Sequence, residues 1–246
     1  MAYILNDPTI FASEPLNPFE IYYLSVGDKI FERDFLPIRW ANPLKYDTFI
    51  NRATIVGNLK CLKYLFGVGH MCDERSCSVA ARYGHLNCLK YLKEKGCYWD
   101  KATSYAAAFN NHLDCLIYLH ENGCEWNVWT CMRAAENGNI ECLVYAHENG
   151  CEWNRTTCIA AARNGHLKCL QYAHEHGCEW NEETFIVAIE NGHLDCLIYA
   201  IENGCPYNEN TCIYTIDPDI IRYLQEKEIC YKGLRDCKEE LSSTVL

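Results

Sequence analysis

At 246 residues, 49% apolar and 22% charged, the chain is long enough for one large domain or two small ones and has a globular rather than a disordered composition. Its 22 Lys and Arg against 33 Asp and Glu give a net charge of −11, which argues against nucleic acid or an anionic membrane as the main ligand. No apolar run approaches the roughly 20 residues of a bilayer span. The stretch from Met1 to Pro15 has neither the basic start nor the apolar core of a secretory signal, so a reducing, cytoplasmic location is expected.

The first 47 residues differ from the rest. Five of the seven prolines (Pro8, Pro15, Pro18, Pro37 and Pro43) fall here, with nine aromatics and no cysteine. The segment is expected to cap the array that follows. An alternative rests on Leu16-Asn17-Pro18-Phe19-Glu20-Ile21, which opens a stretch (Leu16 to Ile30) resembling an F-box-like helix. That resemblance implies a substrate adaptor that recruits a ubiquitin ligase.

From residue 48 the sequence repeats. The run Gly-His-Leu-x-Cys-Leu-x-Tyr starts at Gly84, Gly165 and Gly192, with variants at Gly57, Asn111 and Gly138, so the step is 27 residues over six copies. A degenerate seventh copy follows after 24 residues, with Ile220, Ile221 and Tyr223 in place of Cys196, Leu197 and Tyr199. Each copy reads as two short helices. Thr157, with Thr103, Thr130, Thr184 and Thr211 at the same position, is placed to cap the first, which ends at Gly165. The second starts at His166 and carries Leu167, Leu170, Tyr172 and Ala173 at helical spacing, ending near Gly177. Neither helix is long enough to stand alone. Each must bury its face on its neighbours, which is the logic of a solenoid.

Fifteen of the 18 cysteines fall into three columns of this repeat. One runs from Cys61 through Cys88, Cys115, Cys142 and Cys169 to Cys196. A second holds Cys97, Cys124, Cys151, Cys178 and Cys205, and a third Cys77, Cys131, Cys158 and Cys212, where Ser104 and Phe185 substitute. A column that accepts phenylalanine is a packing column, so the thiols are expected to be free and to act as small buried hydrophobes. Packed helices lie about 8–10 Å apart, whereas a disulfide needs Cα atoms roughly 4.4–6.8 Å apart. Equivalent cysteines in successive copies therefore cannot be joined. His85/Cys88 and His120/Cys124 typify pairs with metal-ligand spacing, but no C-x-x-C accompanies them, so no metal and no cofactor is expected.

The pattern A-A-x-x-G-H-L-x-C-L-x-Y-L-x-x-x-G-C-x-W-N resembles the ankyrin repeat. Ala161-Ala162-Arg163-Asn164-Gly165-His166 matches the close of that family's first helix, and Gly177-Cys178-Glu179-Trp180-Asn181 matches the end of its second. The cysteine-rich form is most similar to the ankyrin proteins that giant DNA viruses encode in numbers. The resemblance implies an all-α solenoid over residues 48–229, followed by a C-terminal cap and tail at 230–246. It also implies a structural role for His85, His112, His166 and His193. The family's period is about 33 residues and only Glu182 and Glu183 separate Asn181 from Thr184 here, so the family's β-turn finger is expected to be shortened or absent. The Trp column (Trp99, Trp126, Trp153, Trp180, with Tyr207) is expected to cover the surface that finger would shield.

No nucleophile motif, phosphate loop or paired acid site is present, and the Glu column (Glu94, Glu121, Glu148, Glu175, Glu202) recurs once per copy, as a solvated face does. The resemblance therefore implies protein binding without catalysis, as a monomer that meets a protein partner, a host protein if the chain is viral. Positions that vary while their surroundings stay fixed are free of the packing constraint. Three such columns lie on the first helix: Arg82/Phe109/Glu136/Arg163/Glu190, then Tyr83 with four asparagines, then Val79/Ala106/Arg133/Ala160/Val187. The matching positions line the concave face in ankyrin proteins, and arginine and aromatics are frequent anchors. Arg82, Tyr83, Phe109, Trp129, Arg133 and Arg163 are the candidate partner-binding residues. The ending Thr244-Val245-Leu246 also fits a PDZ-type carboxylate ligand.

Overall fold

The computed structural model describes residues 48–208 and 217–229. Residues 1–47, with the expected cap and the F-box-like stretch, and residues 230–246, with the expected C-terminal cap and PDZ-type ending, lie outside the described residues. Every regular element among those described is an α-helix, as the repeat implies. They are α1 (Phe49–Ile55), α2 (Leu59–Gly67), α3 (Ser76–Arg82), α4 (Leu86–Glu94), α5 (Lys101–Phe109), α6 (Leu113–Glu121), α7 (Val128–Glu136), α8 (Ile140–Glu148), α9 (Arg155–Arg163), α10 (Leu167–Glu175), α11 (Glu182–Glu190), α12 (Leu194–Glu202) and α13 (Pro218–Glu226).

The chain divides into two compact units, Met1–Tyr98 and Trp99–Leu246. In the first, α1 packs on α3 and α2 on α4. In the second, α5, α7, α9 and α11 form one layer, and α6, α8, α10 and α12 the other. The first-layer helices carry small residues where they meet. Ala107, Ala108, Ala134, Ala135, Ala161, Ala162 and Ala188 are fully buried, and their lack of bulk lets the backbones approach. The second layer supplies the volume, with Leu116, Leu119, Leu143, Leu170 and Leu197 also fully buried. The column of Cys115, Cys142, Cys169 and Cys196 lies among them, at most 1% exposed.

The second cysteine column has a conformational cause. Helix α10 ends in a reciprocal pair of turn bonds, Gly177 N–H to His174 C=O (3.0 Å) and Cys178 N–H to Ala173 C=O (2.9 Å). This is the Schellman closure, in which the residue after the left-handed glycine folds back onto the apolar face. Cys124, Cys151 and Cys205 repeat it and are all buried. The thiol is the small apolar group that fits there.

The helix starts differ from the sequence reading. The column threonines Thr103, Thr130, Thr157 and Thr184 are not the N-caps. Asp100, Asn127 and Asn154, three residues earlier in extended backbone, accept from the N–H groups of Ala102 (2.9 Å), Trp129 (3.2 Å) and Thr156 (2.9 Å). Thr103 is the third helical residue and returns the favour to the Asp100 N–H, a capping box. The short Asp or Asn side chain reaches the helical N–H groups from outside the helix, while threonine at this buried site is already inside the first turn.

The expectation that all thiols are free also fails at one pair. Cys72 and Cys97 form a disulfide, their Cα atoms 6.1 Å apart. The spacing argument excludes bonds between equivalent positions one period apart, but Cys72 belongs to no column. It sits in the loop before α3 and meets Cys97 from 25 residues away. The other thirteen described cysteines are free and buried.

Candidate protein-binding face

Histidine after the glycine stitches one repeat to the next. His85 Nε2 lies 2.9 Å from the Ile55 carbonyl, and His193 Nε2 lies 3.0 Å from the Arg163 carbonyl. Asn139, one of two asparagines that replace it, donates from Nδ2 to the carbonyls of Ala108 (2.8 Å) and Phe109 (2.7 Å). These bonds satisfy the C-terminal carbonyls that a helix leaves open, so the role implied for His85 and His193 is the one observed.

A second, larger network was not legible from the columns taken singly. In three successive copies a histidine lies flat on a tryptophan: His120 on Trp126 (3.9 Å), His147 on Trp153 (3.7 Å) and His174 on Trp180 (3.7 Å). The same histidines bond through Nδ1 to tyrosine hydroxyls of the next copy, Tyr145 (3.1 Å), Tyr172 (3.0 Å) and Tyr199 (2.9 Å). Each tyrosine ring meets its tryptophan edge-on, at 6.2, 6.1 and 6.0 Å. The indoles are thus covered by an imidazole face and a phenol edge. Trp99 is 8% exposed and Trp126, Trp153 and Trp180 are half-buried, while Tyr207 is exposed. The signal in the sequence was the fixed offset His, Trp at +6 and Tyr at +25.

Burial, reinforced by the neighbouring His176 and opposed by Glu148, pulls the His147 pKa below its ordinary value. Burial and then Glu148 hold the Tyr172 phenol above its own, so its hydroxyl stays protonated. A depressed folded-state histidine pKa means that the folded protein resists protonation more than the unfolded chain. Its contribution is fully present above the unfolded value of about 6.5. It is lost progressively as pH falls from there towards the depressed folded value, and is constant below. Urea unfolding across this range should show stability declining on acidification, and His147→Gln should flatten that decline. An unchanged slope in the variant would remove His147 from the effect.

The candidate anchors fall in both units. In the first, Arg82 ends α3 and is exposed, and Tyr83, 46% exposed, lies parallel to the His85 ring at 6.5 Å. In the second, the Arg133 guanidinium sits 5.8 Å from the Phe109 ring and 2.6 Å from Glu136. Trp129 is 52% exposed one turn before Arg133. Residues 129, 133 and 136 share one helical stripe, so Trp129, Arg133 and Glu136 form a row along α7 that Phe109 joins at one end. Arg163 is exposed at the end of α9, its guanidinium 3.7 Å from Glu183.

Two of the variable columns are less free than their variability suggests. Asn110, Asn164 and Asn191 turn their amides back onto the carbonyls four residues earlier at 2.8–2.9 Å, as local helix caps. Asn137 donates instead to the Phe109 carbonyl (2.8 Å) of the previous copy. In the third column Ala160 and Val187 are buried. The Glu column is exposed throughout, each member closing a second-layer helix. No group of three or more potential metal ligands comes together among the described residues, and none of the described helices is long and apolar enough to cross a membrane.

A stack of paired short helices with varied side chains on a fixed frame defines a repeat-type interaction protein. The family model described as ankyrin repeats (3 copies) matches residues 50–129 and 131–211. The chain belongs to the ankyrin-repeat family, whose members mediate protein–protein interaction, and no enzymatic family is indicated. Among solved structures, the crystal structure of the human ASB11 ankyrin repeat domain is similar, with a TM-score of 0.56 and 19% identity over 65% of this chain and 85% of that one. At this identity the likeness is one of fold. No curated protein matches the chain.

Proposed function

We propose that the protein is a non-catalytic scaffold that binds a protein partner along the first-layer face of its repeats. In the second unit the anchors are Phe109, Trp129, Arg133 and Arg163, and Arg82 with Tyr83 offers a similar patch on the first. The observation that carries this reading is Trp129. Its column otherwise holds Arg75, Ala102, Thr156, Glu183 and Asn210, so packing does not call for an indole there, yet it is half open to solvent beside an arginine. Exposed aromatic and arginine side chains on a rigid frame are what binding hot spots are made of, and a preformed face loses little entropy on docking.

On this reading residues 48–229 are the array, flanked by caps at 1–47 and 230–246, and the protein works as a monomer in the cytoplasm. The cysteine-rich 27-residue period is the ground for grouping it with viral ankyrin proteins, whose partner would be a host protein. Proximity labelling in the native cell, comparing the wild type with a Phe109→Ala/Trp129→Ala/Arg133→Ala variant of unchanged melting behaviour, tests the face. Specific neighbours should disappear from the variant; the same labelled set from both forms would show that this face is not used.

A further inference from the structure

The overall charge of −11 conceals a reversal. Between Thr48 and Tyr98 there are eight Lys and Arg against three Asp and Glu, whereas the rest of the chain has 14 against 30. Five of the eight are lysines on the second-layer side of the first unit: Lys60 and Lys63 on α2, Lys90 and Lys93 on α4, and Lys95 just beyond it. Lys60, Lys63, Lys90 and Lys95 are exposed. Since α2 packs on α4, Lys63 and Lys90, one period apart, sit on adjoining helices. The same column holds Ile117, Val144, Gln171 and Ile198 in the later copies, so the fold itself does not ask for lysine there.

Tyr91 organises the patch. The Lys63 ammonium is 5.7 Å and the Lys95 ammonium 5.3 Å from its ring centre, and Phe66 meets it edge-on at 5.6 Å. Two like charges are thereby gathered around one ring, an arrangement that ring attraction favours and mutual repulsion opposes. An incoming anion relieves the repulsion and keeps the ring contacts. We infer that the second-layer face of the first unit is a docking site for an acidic protein segment, whose carboxylates meet Lys60, Lys63, Lys90 and Lys95 over Tyr91.

The occupant follows from charge and spacing. A nucleic acid or an anionic bilayer extends beyond so small a patch and meets a chain that is otherwise strongly acidic, whereas a short peptide segment does not. Neighbouring helices lie about 8–10 Å apart, and a segment in the polyproline II conformation rises about 3.1 Å per residue with three residues per turn, so carboxylates three residues apart lie on one face and match the lysine rows. This surface is separate from the first-layer face, and either can fail without the other.

The test uses the full chain and a labelled peptide with glutamate at every third position between glycine and serine, followed by fluorescence anisotropy. The peptide should bind, and binding should weaken clearly between about 50 and 300 mM salt as the Debye length shortens. Its glutamine counterpart should not bind. Lys63→Glu/Lys90→Glu and the milder Lys63→Gln/Lys90→Gln should both lower affinity, the former by roughly tenfold or more. The Phe109→Ala/Trp129→Ala/Arg133→Ala variant should retain it. No binding of the glutamate peptide, or binding that both lysine variants leave unchanged, overturns the inference. So does tighter binding of a single-stranded oligonucleotide or of phosphatidylserine vesicles than of the peptide.

Discussion

Leu143→Ala is expected to lower the stability of the protein by about 2–5 kcal/mol. Leu143 is fully buried in α8, between the first-layer helices and its equivalents Leu116 and Leu170, which are fully buried too. Truncation removes the transfer free energy of the lost carbons and leaves a cavity that short, mutually wedged helices cannot easily collapse around. The effect is amplified by architecture, because each repeat is held only by its neighbours and a weak link in the middle of a stack separates what lies on either side. Urea unfolding of Leu143→Ala should show a much lower midpoint than Val144→Ala, which trims a half-buried side chain on the same helix. Equal losses would mean that the helix faces are wrongly assigned.

The second large effect is expected at Gly165. Its φ is +73°, and a Cβ placed there would lie 2.5 Å from Nδ1 of His193. Alanine therefore meets two obstacles. The left-handed backbone costs roughly 1–2 kcal/mol for an L residue, and the imidazole must leave, breaking its 3.0 Å contact with the Arg163 carbonyl. Gly123, at φ +77°, has nothing within 4 Å of an added Cβ, so Gly123→Ala isolates the backbone part. Gly165→Ala should be the more destabilising of the two in chemical denaturation. If they match, the ring moves aside freely and the His193 stitch contributes nothing.

The period was what the sequence stated most clearly, because a stack needs the same packing at every step and the chain writes that need 27 residues apart. The buried columns followed from it, including the thiols that tolerate replacement by Phe185. Legibility ended where a residue's role depends on a neighbour at another offset. The threonine column looked like a cap because threonine caps helices, yet Asp100 and Asn154 sit where the backbone is extended, and only the turn geometry reveals it. The aspartates and asparagines were in plain view three residues upstream. Cys72 belongs to none of the three columns, so the spacing argument does not reach it, and its offset of 25 residues brings it to bonding distance from Cys97.

The candidate face shows the same division. Variation across copies does mark side chains the core does not need, and it led to Arg133 and Phe109, which meet beside the exposed Trp129 of α7. It also marked Asn110 and Asn164, whose amides are spent on their own helix ends. Column variability cannot separate a side chain facing a partner from one facing its own backbone. Nor could it find the His147, Trp153 and Tyr172 network: the tryptophan and tyrosine columns barely vary, the histidine column gives way to Phe66, Lys93 and Ile201 in other copies, and their meeting depends on how one copy sits on the next.

In the second unit the thiols help to fill an interior that the stacked helices share, and alkylation of the folded protein tests that most directly. Burial pushes Cys61 and Cys88 up to about 11 and Cys142 and Cys169 up to about 12, so little thiolate forms near neutral pH. Mass spectrometry after iodoacetamide treatment near pH 8 should find Cys115, Cys142, Cys169 and Cys196 unmodified in the native state, and all four modified together once urea crosses the unfolding midpoint. Rapid modification of this column in the folded protein would contradict the account.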